Sequence, residues 1–388
     1  MALKAGIVGL PNVGKSTLFN AITNSHVLAE NYPFATINPN TGVVTVPDER
    51  LDYLTKYFAP KKKINATFEF YDIAGLVKGA SKGEGLGNQF LAAIRECDAI
   101  VEVVRCFESS SVVRYNDEPI DPKNDIDVIN LELSMADLES VNARIGKQEV
   151  KARIAHDKEA MYEMPILTAI KKVLEEGKSA RLVEGLSQEQ MAYARKNFFL
   201  LSLKPILYVA NVAADDYGDL EGCKYYQEVK SLAASEGAVC IPLSCQIEYE
   251  ISQLESEADK KDFLESMGQK ESGLDKLVKA SYKLLNLSTF LTCGSDECRA
   301  WTFHNGMLAP ACAGVIHSDF EKGFIKAEVY SFNDFYEISQ SFPMKEGDMP
   351  LGQKVEVAVK EAGKVRSEGK DYAMKDGDIV FFRFNVSK

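Results

Sequence analysis

The sequence contains no uninterrupted apolar run long enough to span a bilayer, and it has no excess of positive charge. A transmembrane helix needs about 20 consecutive apolar residues, so an integral membrane protein is not expected. The formal net charge of -12 at pH 7 argues against binding of nucleic acid through the charge of the whole protein. A local basic patch remains compatible with this total.

The sequence also lacks a regular cysteine framework, because its eight cysteines are scattered along the chain. One stretch, Cys293-x4-Cys298-x5-His304, has zinc-like spacing, but a fourth ligand is missing and we expect no zinc there. The apolar pattern starts directly at the beginning of the sequence and leaves no room for a secretory leader. Reduced thiols and a cytoplasmic location are therefore predicted. Redox sensing by a cysteine depends on exposure, which the sequence does not reveal.

What the sequence does contain is an alternation of buried-strand patterns with helical patterns. Strand-like runs at 3–9, 41–46, 64–71, 99–104, 206–210 and 239–243 are separated by several helical stretches. This order predicts an α/β fold with a mostly parallel sheet and helices on both faces. The length of 388 residues indicates two or three domains rather than one.

Two regions depart from that alternation. Residues 130–203 show no strand pattern but have apolar residues three or four apart, which predicts a helical, coiled-coil-like hairpin insertion. The alternative is a set of amphipathic helices packed on the domain. After a predicted helix at 273–285, β-like runs at 287–292, 324–329, 355–359 and 379–383 indicate a separate α+β domain.

The first strand-like run leads into a phosphate-loop pattern, Gly9-x4-Gly14-Lys15-Ser16. Such a loop wraps a nucleotide phosphate with backbone N–H groups, and the following helix directs its positive end at the anion. Lys15 is expected to reach the β- and γ-phosphates, and the Ser16 hydroxyl to bind Mg2+. The predicted phosphate-binding residues are Asn12, Val13, Gly14, Lys15, Ser16 and Thr17.

A second motif, Asp72-Ile73-Ala74-Gly75, follows the strand pattern that ends at Tyr71. A carboxylate at a strand end can hold Mg2+ through water, and the Gly75 N–H can meet the γ-phosphate. Between the two motifs, the segment 31–36 contains Thr36, which suits a switch segment that closes on Mg2+. We therefore predict Lys15, Thr36 and Gly75 as catalytic residues and Ser16, Thr36 and Asp72 as metal ligands.

Several long motifs together resemble the YchF family, the Obg-like ATPases. They are Gly9–Thr17, 31–36, 39–44, Asp72–Ala80, 83–91 and Val103–Phe107, and the resemblance extends over the full length. It implies a P-loop NTPase domain at 1–129 and 204–286, the helical insertion at 130–203, and a TGS-like β-grasp domain at 287–388. It also implies ATP, Mg2+ and the ribosome, mainly its large subunit, as partners, with RNA contacts through the TGS domain and the insertion.

The catalytic site lacks a glutamine directly after the second motif, where Leu76 stands. Related G proteins use that glutamine to orient the attacking water, so either another group does so or hydrolysis is slow until a partner or an ion assists. Asn12 matches the asparagine that helps related proteins to bind K+ beside the phosphates. A K+ ion there could supply the charge that an arginine finger supplies elsewhere. Four glycines between Gly79 and Gly87 predict a mobile switch.

The sequence also lacks the guanine-reading motif Asn-Lys-x-Asp. After the strand pattern 206–210 it has Asn211-Val212-Ala213-Ala214, so a methyl group replaces the aspartate that would bind guanine. Asn211, Val212, Ser244 and Cys245 are the predicted base-binding residues, and ATP is favoured over GTP. Two rival functions stay open, namely a GTPase at the same site and a nucleotide-regulated ribosome- or RNA-binding module with negligible turnover.

Overall fold

The computed structural model describes residues 3–24, 40–73, 86–109, 119–154, 156–344 and 349–385. The described residues divide into two compact units, the first comprising 3–24, 40–44 and the described part of 69–281, and the second comprising 45–68 and the described part of 282–385. Residues 45–68, which the predicted boundaries place in the nucleotide-binding domain, thus group with the C-terminal residues. The boundaries themselves stay a prediction.

The described elements follow one another in an α/β order along the first half of the chain and in an α+β order near its end. They are β1 (Lys4–Val8), α1 (Lys15–Asn24), β2 (Thr41–Thr45), α2 (Glu49–Phe58), β3 (Lys62–Ile64), β4 (Thr67–Asp72), α3 (Leu86–Arg95), β5 (Ala99–Cys106), α4 (Pro122–Ile154), α5 (Lys158–Glu175), α6 (Gln188–Asn197), β6 (Ile206–Val212), α7 (Lys224–Ser235), β7 (Val239–Leu243), α8 (Cys245–Ser252), α9 (Glu257–Ser266), α10 (Gly273–Leu284), β8 (Leu287–Cys293), β9 (Glu297–His304), α11 (Ala309–Ile316), α12 (Ser318–Lys322), β10 (Phe324–Ser331), α13 (Phe332–Ser339), α14 (Gly352–Glu361), β11 (Arg366–Glu368) and β12 (Asp378–Phe384).

The first sheet has the strand order β2-β4-β1-β5-β6-β7. The ladders β1–β4, β1–β5, β5–β6 and β6–β7 are all parallel. β5 and β6 are buried along their entire length, as expected for central parallel strands that helices cover on both faces. The predicted α/β class is confirmed, and the carboxyl ends of these strands share one edge of the sheet, where ligands bind in such folds.

The insertion is helical, as predicted, although α4 begins at Pro122, before the predicted start at about 130. α4 and α5 form a hairpin whose turn is capped by Asp157, which accepts a hydrogen bond from Ala160 N at 2.8 Å. The hairpin shares a hydrophobic cluster with α6 and the segment that follows. The cluster includes Val141, Ile166, Leu167, Ile170, Leu174, Ala194, Phe198 and Leu203. The insertion therefore has a core of its own.

The second unit contains a sheet of order β11-β10-β12-β8-β9-β3 with helices packed against it, which confirms the α+β prediction. The predicted strand at 64–71 is wrong in one respect, because it divides into β3 and β4, which belong to different sheets. The break falls at Asn65 and Ala66, where Ala66 O accepts a hydrogen bond from Val46 N at 2.8 Å. The identification of this unit as a TGS domain stays a prediction.

The β-like run at Val355–Val359 was also predicted wrongly, since these residues lie in the helix α14. Val355 and Val359 are both 0% exposed, whereas Val357 between them is 56% exposed. Residues four apart share one face of a helix, so this pattern buries the two outer valines together. Alternate valines in so short a run fit both periodicities. No helix within the described segments is long and apolar enough to cross a membrane.

Candidate nucleotide-binding site

The phosphate loop connects β1 to α1, in the order that the sequence predicts. Gly14 has a φ of 101°, which is unfavourable for any residue with a Cβ atom. A Cβ atom on Gly14 would also collide with Nδ2 of Asn211, and one on Gly9 would lie 2.8 Å from the carbonyl oxygen of Val103. Asn12 adopts a φ of 64°. The backbone of this loop is therefore held in a conformation that requires glycine at positions 9 and 14 and that asparagine tolerates at position 12.

Asn211 holds the phosphate loop to the loop that follows β7. Its Nδ2 donates a hydrogen bond to Val13 O at 2.8 Å, and its Oδ1 accepts one from Cys245 N at 2.9 Å. The residue is buried at the carboxyl end of β6. The sequence identified Asn211 as a base-binding residue but did not reveal this positioning role. Its contact with the base stays a prediction.

The side chain of Lys15, at the start of α1, contacts Asp72, at the end of β4. Lys15 Nζ lies 3.0 Å from Asp72 Oδ1 and 2.5 Å from the carbonyl oxygen of Ile73. The parallel register places Asp72 opposite Ile7, near the end of β1, so the predicted phosphate-binding and metal-binding groups adjoin. Thr36, Gly75 and Leu76 lie outside the described residues, as does the glycine stretch up to residue 85, while α3 begins at Leu86.

A cavity of about 960 Å³ opens at this edge of the sheet. Its lining brings together most of the predicted nucleotide-binding residues, namely Asn12, Gly14, Lys15, Ser16, Thr17, Asn211, Val212, Ser244 and Cys245. Val13 is buried behind the loop, where its carbonyl oxygen meets Asn211. The cavity is large enough for a small-molecule ligand of nucleotide size.

The lining also contains residues outside the predicted set of site residues. Leu10 and Pro11 belong to the phosphate-loop motif, Phe107 ends one of the family motifs, and Ala213, Ala214, Asp215 and Gln246 lie in the two segments expected to contact the base. The sequence reasoning missed Glu108 and Ser109. Phe107–Ser109 directly follow β5, and carboxyl ends of parallel strands meet at one edge. The strand pattern at 99–104 was therefore a usable signal for these three residues.

The donor set at the phosphate loop fits Mg2+. Ser16 lines the cavity and the Asp72 carboxylate lies beside Lys15, and both are hard oxygen donors of the kind that would hold Mg2+. Mg2+ typically keeps several water ligands and needs only one or two protein ligands beside a nucleotide. Among the described residues there is no cluster of three or more His, Cys, Asp or Glu side chains that could hold a metal on its own.

The wall of the cavity formed by α8 is supported by a buried carboxylate. Glu248 accepts hydrogen bonds from Gly273 N at 2.7 Å and Leu274 N at 3.0 Å, at the start of α10. Burial raises the pKa of Glu248 to about 7, although these two backbone bonds oppose the shift. Burial likewise raises the pKa of the neighbouring Cys245 thiol. Cys245 is thus a neutral thiol in the cavity wall rather than a thiolate.

Two family models match the chain. Residues 4–141 match the family described as "50S ribosome-binding GTPase". Residues 287–385 match YchF-GTPase_C, which is described as a "Protein of unknown function (DUF933)". The first match covers the phosphate loop and Asp72, and the second covers most of the C-terminal part.

Full-length relatives are similar to the chain from end to end. A Bacillus subtilis (strain 168) protein named "Ribosome-binding ATPase YchF" is 51% identical over 386 residues, covering 100% of both chains. An Escherichia coli O157:H7 protein of the same name is 47% identical over 386 residues with the same coverage. The solved structure of the Schizosaccharomyces pombe YchF GTPase superposes with a TM-score of 0.84 at 35% identity, covering 98% of this chain and 97% of that one. On these full-length similarities, the chain belongs to the YchF family.

Proposed function

We propose that this protein hydrolyses ATP to ADP and phosphate in a Mg2+-dependent reaction and acts as a nucleotide switch on the ribosome. The observation that carries the proposal is that the phosphate loop, the segment 211–215 and the loop at 244–246 line the same cavity. Bacterial relatives of about half identity are named ribosome-binding ATPases, which supports the same activity here.

The roles of the residues follow from the chemistry of phosphoryl transfer, which needs mainly positioning and charge neutralisation. Lys15 would exchange its contact with Asp72 for the β- and γ-phosphates. Ser16, Thr36 and Asp72 would hold Mg2+, which supplies positive charge to the phosphate oxygens when bound. The Gly75 N–H would meet the γ-phosphate.

No glutamine follows the second motif to orient the attacking water, so either another group orients it or a partner or an ion assists hydrolysis. We infer that Asn12, whose positive φ turns the loop at the cavity wall, helps to bind K+ beside the phosphates. A monovalent cation at that place would stabilise the developing charge as an arginine finger does. Phosphate release measured in K+ and in Na+ tests this. Equal rates in the two ions would remove K+ from the mechanism.

The identity of the base decides between ATP and GTP. Ala214 lines the cavity, and its methyl group cannot accept the hydrogen bonds that select guanine. A second candidate, GTP hydrolysis, is favoured by Asp215, an acidic residue that lines the same cavity, and by the relative described as a GTPase. Competition of ATP against GTP for the purified protein separates the two, and at least tenfold tighter ATP binding is expected.

Turnover distinguishes an enzyme from a nucleotide-regulated binding module. Phosphate release from ATP should be slow but measurable, and Lys15→Ala should reduce it to the background rate. If wild-type release is already at background while nucleotide still changes ribosome binding, the protein is a binding module and not an ATPase.

Ribosome association is tested by cosedimentation with separated large and small subunits in ATP, ADP and no nucleotide. Binding to the large subunit in at least one nucleotide state is expected, with RNA contacts through the C-terminal domain and the helical insertion. Such binding would place the protein in the cytoplasm. Absence of cosedimentation in every nucleotide state would overturn the ribosome role and leave the ATPase proposal standing.

A further inference from the structure

Two cysteines face each other at the end of the hairpin formed by β8 and β9. The antiparallel register pairs Cys293 with Cys298 directly, as the last pair before the turn. All eight cysteines of the chain are free thiols in this structure. The turn through Gly294, Ser295 and Asp296 therefore brings together two thiols that are close in sequence and adjacent in space.

The backbone pattern shows which kind of antiparallel pair the two cysteines form. Thr289, on the same face of β8 as Cys293, uses its N–H for Asp376 Oδ1 and its carbonyl oxygen for Gly377 N, so its backbone faces away from β9. Pair types alternate along a ladder, and Cys293 is an even number of residues from Thr289. Cys293 and Cys298 thus form a non-hydrogen-bonded pair.

This pair type suits a disulfide. Cα atoms of non-hydrogen-bonded pairs are about 4.5 Å apart, which lies inside the range of about 4.4–6.8 Å that disulfides span. The Cys298 thiol donates a hydrogen bond to the carbonyl oxygen of Gly294 in the same turn, at 3.9 Å. No large backbone movement is needed for a bond between the two sulfur atoms.

The two thiols differ in accessibility and in acidity. Cys298 is 0% exposed, whereas Cys293 is half-buried. The neighbouring Cys293 lowers the pKa of the Cys298 thiol, and Cys298, together with burial, raises the pKa of the Cys293 thiol. Because Cys293 is the less buried of the two residues, we assign it the first reaction with an external reagent. Cys298, whose pKa is lowered, then supplies the thiolate for the intramolecular attack.

We propose that Cys293 and Cys298 are a reversible redox site that closes to an intramolecular disulfide when a low-molecular-weight disulfide acts as oxidant. The Cys293 sulfur, after losing its proton to solvent, attacks one sulfur of the oxidant, which forms a mixed disulfide and releases one thiolate. The Cys298 thiolate then attacks the Cys293 sulfur and displaces the second thiol of the oxidant. Two protein thiols are oxidised and one external disulfide is reduced to two thiols. Disulfides of intracellular proteins are typically transient or redox-sensing, which fits a site of this kind.

The test uses the full-length protein and oxidised glutathione as the probe. After incubation, free thiols are alkylated and the peptides are mapped by mass spectrometry. A disulfide between Cys293 and Cys298 and the loss of two alkylatable thiols are expected, both reversed by dithiothreitol. Unchanged alkylation of both cysteines across the whole range of glutathione ratios would overturn the proposal.

Three variants test the order of attack, with circular dichroism and thermal melting as the check on folding. Cys298→Ser should accumulate glutathione on Cys293, because the resolving thiol is gone. Cys293→Ser should accumulate none on the buried Cys298, and equal labelling of Cys298 in that variant would contradict the assigned order. Cys312→Ser, which changes a buried cysteine of the same unit, should form the disulfide as the wild type does. If a serine variant fails to fold, the wild-type peptide map decides by itself.

Discussion

The ammonium group of Lys15 lies 3.0 Å from Oδ1 of Asp72, although 57 residues separate the two along the chain. The contact joins the residue expected to bind phosphate to the residue expected to bind Mg2+. A carboxylate in this position can contact the lysine and also hold a water molecule bound to Mg2+. Removal of its charge should therefore affect the binding of Mg2+ first.

Asp72→Asn should therefore reduce the affinity for Mg2+ more than the affinity for nucleotide. The amide keeps the shape of the side chain but removes its charge, and hard divalent cations prefer carboxylate oxygens. The Mg2+ concentration that gives half-maximal phosphate release should rise at least tenfold, as measured by titration at saturating ATP. Glu69→Gln, which alters another carboxylate of the same strand, is the matched control and should leave the titration unchanged.

Gly14→Ala should abolish nucleotide binding and destabilise the protein. The new Cβ would meet Asn211 Nδ2, and the φ of 101° is strained for alanine, which together cost about 1–3 kcal/mol or more.

Gly146 is the opposite case, because it lies in α4 and a Cβ there meets nothing within 4 Å. Gly146→Ala should stabilise the protein by about 0.5–1 kcal/mol. Urea unfolding and ATP binding of both variants check these outcomes, and intact ATP binding by Gly14→Ala would contradict the first.

Ala214→Asp should shift nucleotide selection toward GTP. The substitution places a carboxylate in the cavity wall, where it can accept two hydrogen bonds from guanine. A site that hydrogen-bonds a polar group of its ligand discriminates strongly against a ligand that lacks this group. The ratio of GTP to ATP affinity should increase at least tenfold in competition binding. Ala213→Asp adds the same charge one position away and should change this ratio far less, so an equal effect of both substitutions would indicate charge alone and not base recognition.

Glu248 should make the free energy of unfolding of the first unit fall as the pH rises toward 7. Burial raises the pKa of this carboxyl group from 4.5 to about 7 in the folded protein. Its favourable contribution is therefore complete below about pH 4.5 and is lost as the pH rises through about 7. Glu248→Gln should remove about 3 kcal/mol of this pH dependence, measured as the difference in unfolding free energy between about pH 5 and about pH 8. A wild-type slope retained in the variant would contradict the assignment to Glu248.

Much of the first unit could be predicted from periodicity because its strands are short, apolar and bounded by loops. β1, β5, β6 and β7 lie close to their predicted positions. The prediction failed where local pattern fits two structures equally well, as at Val355–Val359, or where a break in pairing divides one apolar run, as at Asn65. In both cases contacts with distant residues decided which alternative the chain adopts.

The sequence by itself determined the chemistry of the phosphate loop, because Gly9, Gly14, Lys15 and Ser16 act through a backbone conformation that a few neighbouring residues specify. Only the tertiary structure decided the partners of Asn211, the contact of Lys15 with Asp72 and the pairing of Cys293 with Cys298. The reason is that the spacing of residues along the chain does not fix strand register and loop placement. Packing and the matching of backbone hydrogen bonds across the sheets fix them.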